Sequence, residues 1–169
     1  MDYSSIISEL HRNNQVLIDL LSGLNKEEYL WKPEPEKWCL LEIICHLYDE
    51  EREDFRARIK HAFESPGLPF PPIDPVKWVH ERKYLSQDFK SVLEKFSDER
   101  MQSVEWLNSL SSPDWNSGYN HPKFGMITAK MLLANWLEHD YLHIRQILTL
   151  KHLYLKNHSG ESLLYAGTW

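Results

Sequence analysis

The amino-acid sequence predicts an all-α protein, a four-helix bundle with a long proline-rich crossover between its second and third helices. Three observations lead there. Four long segments repeat apolar residues at three- and four-residue steps. Five prolines between residues 64 and 76 divide those segments two and two. No alternating strand pattern runs beyond a few residues.

The first helix is expected over residues 3–24, where Ile6, Ile7, Leu10, Leu17, Leu20, Leu21 and Leu24 form the stripe and Gly23 stops it. Residues 25–37 form a connector because Pro33 and Pro35 forbid a regular helix there, although Asn25 to Glu28 suits a short turn. Trp31 and Trp38 are expected to pack on the bundle end. The second helix spans 39–63, its stripe of Leu40, Ile43, Ile44, Leu47, Phe55, Ile59 and Ala62 broken only by Glu51. Its acidic middle, residues 49–54, reads as a solvated face. Residues 64–76 contain Pro66, Pro69, Pro71, Pro72 and Pro75 and must be extended. At about 3.1 Å per residue this stretch spans about 40 Å, against about 37 Å for the second helix, so it is long enough to carry the chain back to that helix's starting end. The third helix is expected over 78–110, followed by a turn-rich loop at 111–125 and a fourth helix at 126–153. That last helix is apolar nearly all round and should be buried by its neighbours. The tail, residues 152–169, carries Leu163, Leu164, Tyr165 and Trp169, which are expected to pack back on the bundle or against a second copy in a homodimer.

A chain of 169 residues fits one domain, 1–169, able to bury roughly 70% of its unfolded surface without disulfides. Lys and Arg total 19 against 25 Asp and Glu, a formal charge of −6, which argues against a nucleic-acid partner. No apolar run reaches membrane-spanning length and the amino terminus lacks a basic leader, so a cytoplasmic protein without a membrane partner is expected. Cys39 and Cys45 form no paired framework and suit a reducing compartment.

The excess lies in nine histidines and seven tryptophans. On the apolar fourth helix Asn135, His139, His143 and Gln146 fall within an arc of about 80° at 100° per residue. His139 and His143, four apart, present both imidazoles on one face, the geometry that lets two ligands reach one ion. His46 lies about 10 Å from the start of the second helix, and His139 and His143 roughly 21 and 15 Å from the end of the fourth. Antiparallel packing therefore brings all three near one level. The spacing alone is equally compatible with hydrogen-bonded core histidines. As ligands, three neutral imidazoles suit a divalent transition metal, zinc, nickel, iron or copper with zinc or nickel expected foremost, and leave positions open for a substrate. Glu50 and Gln146 are the nearest polar groups able to accept the second ring N–H of a ligand.

The run from Lys37-Trp38-Cys39 through Cys45-His46-Leu47, the Phe124-Gly125 loop end after His121, and the later Leu137-Glu-His-Asp-Tyr-Leu-His-Ile-Arg-Gln-Ile147 resemble the signatures of the DinB/YfiT-like family of bacterial metalloenzymes. The resemblance spans about 150 residues. It implies an up-down-down-up bundle and a metal on His46, His139 and His143, and it brings Asp140 in as a further residue of the site. Cys39 departs from the family's usual Ser and caps a helix poorly. Relatives include thiol S-transferases using bacillithiol or glutathione and a mycothiol-dependent isomerase. The resemblance thus favours a metal-dependent thiol S-transferase that joins a low-molecular-weight thiol to small electrophiles. The alternatives are a hydrolase using metal-activated water and a non-catalytic, stress-induced binding protein.

Overall fold

The computed structural model describes residues 2–169. Helix α1, Tyr3–Leu21, starts where the Asp2 carboxylate accepts the Ser5 N–H at 2.7 Å. It ends before Gly23, whose φ of +75° is a conformation that side-chain-bearing residues avoid. The Asn25 turn is a short helix α2, Lys26–Leu30, closed by reciprocal bonds between Asn25 and Glu28.

The second long segment is not one regular helix. It comprises α3, Leu40–Glu50, a single π-helical turn over Glu51–Phe55, and α4, Arg56–Glu64. At its start Cys39 makes no side-chain cap bond; the Glu42 carboxylate instead accepts the Cys39 N–H. The expected solvated face is another correction, because Asp49, Glu50 and Glu51 are all buried. Buried carboxylates require partners. Asp49 accepts from Tyr84 Oη at 2.6 Å and pairs with Arg52 and Arg82, and Glu51 binds Arg100.

These pairings also explain why the third helix is split. Helix α5, Pro75–Glu81, opens with Asp74 as cap and Pro75 in its first turn. The chain then breaks at Lys83, φ +50°, so that Arg82 can bind Glu53 and Asp49 while Tyr84 enters the core. Helix α6, Phe89–Ser109, restarts on Asp88. The irregular part of the proline-rich connection is accordingly residues 65–74.

Residues 111–125 also differ from expectation. Strands β1, Gly118–His121, and β2, Gly125–Thr128, pair antiparallel as a small hairpin. Four-residue strands are too short to show alternation in a sequence. Gly118 is required there, since a Cβ would come within 2.0 Å of the Ile127 carbonyl oxygen. The last helix, α7, is Ala129–His158, capped by Thr128; it starts three residues later and ends five residues later than expected. It is not buried all round: Met131, Tyr141, Leu142, Leu148 and Leu155 are exposed.

Contacts along the helices fix their directions. His46 meets His139 and His143 while Phe55 stacks on Trp136, so α3–α4 runs antiparallel to α7. Asn13 bonds Asp140 and the Leu20 carbonyl accepts from Lys151, so α1 is parallel to α7. Asn14 bonds Ser97 and Leu10 bonds Arg100, so α6 runs against α1. The order is up-down-down-up. The core forms two apolar clusters, one including Leu17, Ile44, Leu47, Phe96 and Ile147, the other Leu10, Ile59, Leu107, Leu133 and Trp136. A polar layer of Asn13, Glu51, Arg100 and Asp140 connects the four long helices.

The tail begins later than expected, because α7 continues to His158. Trp169 stacks on His152 with ring centroids 4.5 Å apart, so the end of the chain folds back on α7, while Leu164, Tyr165 and Trp169 keep most of their surface exposed in the single chain. Deleting residues 163–169 should therefore change folding stability by no more than about 0.5 kcal/mol, as for other surface changes. Urea denaturation of the truncated chain checks this.

Candidate metal centre

The three histidines come from two antiparallel helices. His46 sits on α3 one turn before the π-helical turn, and His139 and His143 are one turn apart on α7. Their Nε2 atoms converge: His139 Nε2 lies 3.2 Å from His46 Nε2 and 3.1 Å from His143 Nε2. The possible ligand atoms all fall within 4.8 Å of one another. Two imidazole nitrogens bound to one tetrahedral first-row ion at about 2.0–2.1 Å lie about 3.3 Å apart, close to the 3.2 and 3.1 Å separations from His139 Nε2.

The protonation chemistry suits ligands. Burial lowers the pKa of His46 to about 3, with His143 adding to the effect. Burial lowers His139 to about 2, reinforced by His143, His46 and Arg100. His143 is lowered mainly by burial, with Gln146 and Asp140 working the other way. All three rings are neutral near pH 7, the form that binds metal. A histidine of lowered pKa also ties stability to pH. The unfolded chain takes up protons near the ordinary imidazole value of 6.5, before the folded one does. The histidines' share of folding stability should be full above that pH and fall as pH drops through it toward 3 and 2, while buried Glu50, raised to about 8, works the other way between 8 and 4.5. Urea denaturation of Glu50→Gln at about pH 7.5 and about pH 5 isolates the sign of the histidine contribution.

Gln146 lies where the sequence places it. Its Oε1 accepts from His143 Nδ1 at 2.9 Å, which leaves Nε2 with its lone pair toward the cluster. Glu50 is buried with Oε1 3.9 Å from His46 Nδ1, and that nitrogen has no hydrogen-bond partner among the described residues. Burial, with Asp54 adding to it, pushes the Glu50 carboxyl up to about 8. Asp140 is not at the site: it is fully buried on the other side of α7, held by Arg100 at 2.7 Å through both carboxylate oxygens and by Asn13 at 3.2 Å. Asn135, the remaining member of the polar stripe, donates to the Met131 carbonyl.

Aromatic rings wall the cluster. Trp38, expected at the bundle end, has its ring centroid 4.9 Å from that of His46, and Phe55 lies 5.1 Å from His139. Beyond His139 a cleft of about 300 Å³ opens between α4, α7 and the hairpin. Sequence reasoning missed Arg100 and Glu51, which lock the two ligand-bearing helices together. Each interrupts an apolar stripe, Arg100 between Phe96 and Val104 and Glu51 between Leu47 and Phe55. Two stripe-breakers of opposite charge are the signal of a buried pair.

Among solved structures, the chain is similar to YfiT from Bacillus subtilis, described as a probable metal-dependent hydrolase with an unusual four-helix bundle topology. The TM-score is 0.79 at 18% identity, covering 90% of this chain and 87% of that one. No curated protein sequence matches. The family model of the DinB superfamily matches residues 9–147, and the chain belongs to that superfamily.

Proposed function

We propose that the protein is a metal-dependent enzyme in which His46, His139 and His143 hold one divalent ion, zinc or nickel, and that it hydrolyses a small molecule. The observation that carries this reading is the convergence of three neutral imidazole Nε2 atoms beside an open cleft. Such a donor set fits a borderline-soft ion and leaves positions free. A divalent ion there supplies Lewis-acid polarisation of a substrate oxygen and acidification of a water molecule.

The chain's own residues do the rest. Gln146 fixes the tautomer and orientation of His143, and Glu50 is the group placed to do so for His46. The Trp38 and Phe55 rings shield the cluster from bulk water, which strengthens every electrostatic interaction inside it. Replacing Gln146 with alanine should weaken metal affinity roughly 10- to 100-fold without unfolding the bundle. A competitive chelator titration measures it.

Hydrolysis is preferred to thiol transfer on charge. Bacillithiol and glutathione carry carboxylates, and the one cation lining the cleft among the described residues, Arg58, is already paired with Asp54. The description of YfiT supports the same choice. Metal analysis of protein purified without chelator or affinity metal, combined with ester hydrolysis and thiol conjugation to monochlorobimane, tests the reading. Hydrolysis that requires the metal supports it. Conjugation alone turns the assignment to a transferase, and neither activity turns it to a binding protein.

A further inference from the structure

We propose that Phe55 is a positioning residue of the metal centre: its ring fixes the orientation of His139, and the π-helical turn is what carries it there. The proposal rests on the reading of the three histidines as metal ligands and names what holds the central one. A ligand imidazole needs a contact away from the ion to set its ring, and each of the three finds a different one. His143 has Gln146 on its Nδ1, and His46 has Glu50 at 3.9 Å and the Trp38 ring against it. His139 has no hydrogen bond on Nδ1 among the described residues, and its Nε2 meets only the other two ligands. What packs on its ring from outside the cluster is Phe55, with centroids 5.1 Å apart and planes at 54°. Phe55 is itself held. It is buried and lies nearly parallel to Trp136, at 5.7 Å and 9°. The Trp136 indole is buried in turn, and its Nε1 donates at 3.0 Å to Glu51 Oε2, an oxygen that also accepts from Arg100 at 3.0 Å. Contacts therefore run unbroken from the polar layer through Trp136 and Phe55 to His139.

A regular α-helix would not place Phe55 there. At about 100° per residue, the steps from His46 to Phe55 put the two side chains about 180° apart, on opposite faces of the helix. In the π-helical turn over Glu51–Phe55 each backbone hydrogen bond spans five residues instead of four, so the turn takes in one extra residue and sets Phe55 back by about 100°. His46 and Phe55 then lie about 80° apart and both face α7. The contacts agree, since both rings reach His139, with centroids at 5.2 and 5.1 Å.

Carbon-13 relaxation at the histidine Cε1–H groups reads the ring directly in the metal-free chain, and cobalt(II) reads the loaded site. The His139 order parameter should match rigid backbone, about 0.85, in the unmodified protein and fall below about 0.6 in Phe55→Leu. Cobalt(II) affinity, from chelator competition, should then weaken roughly tenfold, and the visible d–d bands should shift because the same three nitrogens meet the ion in a different geometry. Leu107→Ala, which removes as many buried carbons from the same apolar cluster on α6, should leave order parameter, affinity and bands unchanged. Phe55→Met serves in the same way if Phe55→Leu does not fold. A mobile His139 ring in the unmodified protein, an unchanged ring in the variant, or an equal change in Leu107→Ala would overturn the proposal. A loosened ring with unchanged cobalt affinity and bands would overturn it as well, since the ion and not Phe55 would then orient the ligand. If the unmodified chain takes up no cobalt(II), the metal reading falls, and the order parameters alone decide whether Phe55 holds His139.

Discussion

Replacing His139 with alanine should reduce bound metal from about one ion per chain to a small fraction and abolish any metal-dependent turnover. His139 is the residue to lose because its Nε2 is the common neighbour of the other two, 3.2 Å from His46 and 3.1 Å from His143. Structural zinc sites with four ligands bind with about 10–16 kcal/mol, so one ligand accounts for roughly 2.5–4 kcal/mol, about 70- to 900-fold in affinity. The bundle should stay folded, since the side chain is only half-buried and its removal also relieves three crowded ring nitrogens. Metal analysis together with circular dichroism separates the two effects. A variant that kept its metal would mean that the ion is held elsewhere.

Arg100→Met should be the most destabilising single change. The Arg100 side chain is 1% exposed, and its guanidinium donates to both oxygens of Glu51, both oxygens of Asp140 and the Leu10 carbonyl. Burial alone would push its pKa down, and Asp140 and Glu51 more than reverse that. Methionine fills the volume but leaves two buried carboxylates unpaired. Breaking such a pair costs about 3–5 kcal/mol, a large share of the 5–15 kcal/mol typical of a folded domain. The melting temperature should drop by roughly 6–20 °C for a chain of this size. Arg100→Lys should rescue little, because an ammonium cannot bridge two carboxylates and a carbonyl in this planar arrangement. A loss below about 1 kcal/mol would show that the polar layer is not what joins the helices.

The helices and the histidine cluster were legible in the sequence for the same reason: both follow from helical periodicity. Ile6, Leu10 and Leu17 mark one face of α1, and His139 and His143 share another on α7. The antiparallel placement of His46 then needed only the rise per residue. What periodicity does not carry was not legible. Asp49 and Glu51 look solvated until Arg82 and Arg100, some 30 to 50 residues away, are brought against them. The π-helical turn over Glu51–Phe55 leaves no composition signal, because it is a property of how that segment packs on α6 and α7. Asp140 sits next to His139 in sequence but about 100° around the helix, and that angle takes it into the polar layer instead of the metal centre. The tail's apolar composition states a preference for burial, which within the single chain Trp169 meets only through its stack on His152.

X-ray absorption at the metal edge, on protein that has taken up its ion during expression, reads the ligand set of the three-histidine centre directly. One divalent ion per chain is expected, with a first shell that includes three imidazole nitrogens at about 2.0–2.1 Å and no sulfur, and His46→Ala should take up only a small fraction of it. A chain that binds no divalent ion at neutral pH, or a first shell containing sulfur from Cys39 or Cys45, would contradict it.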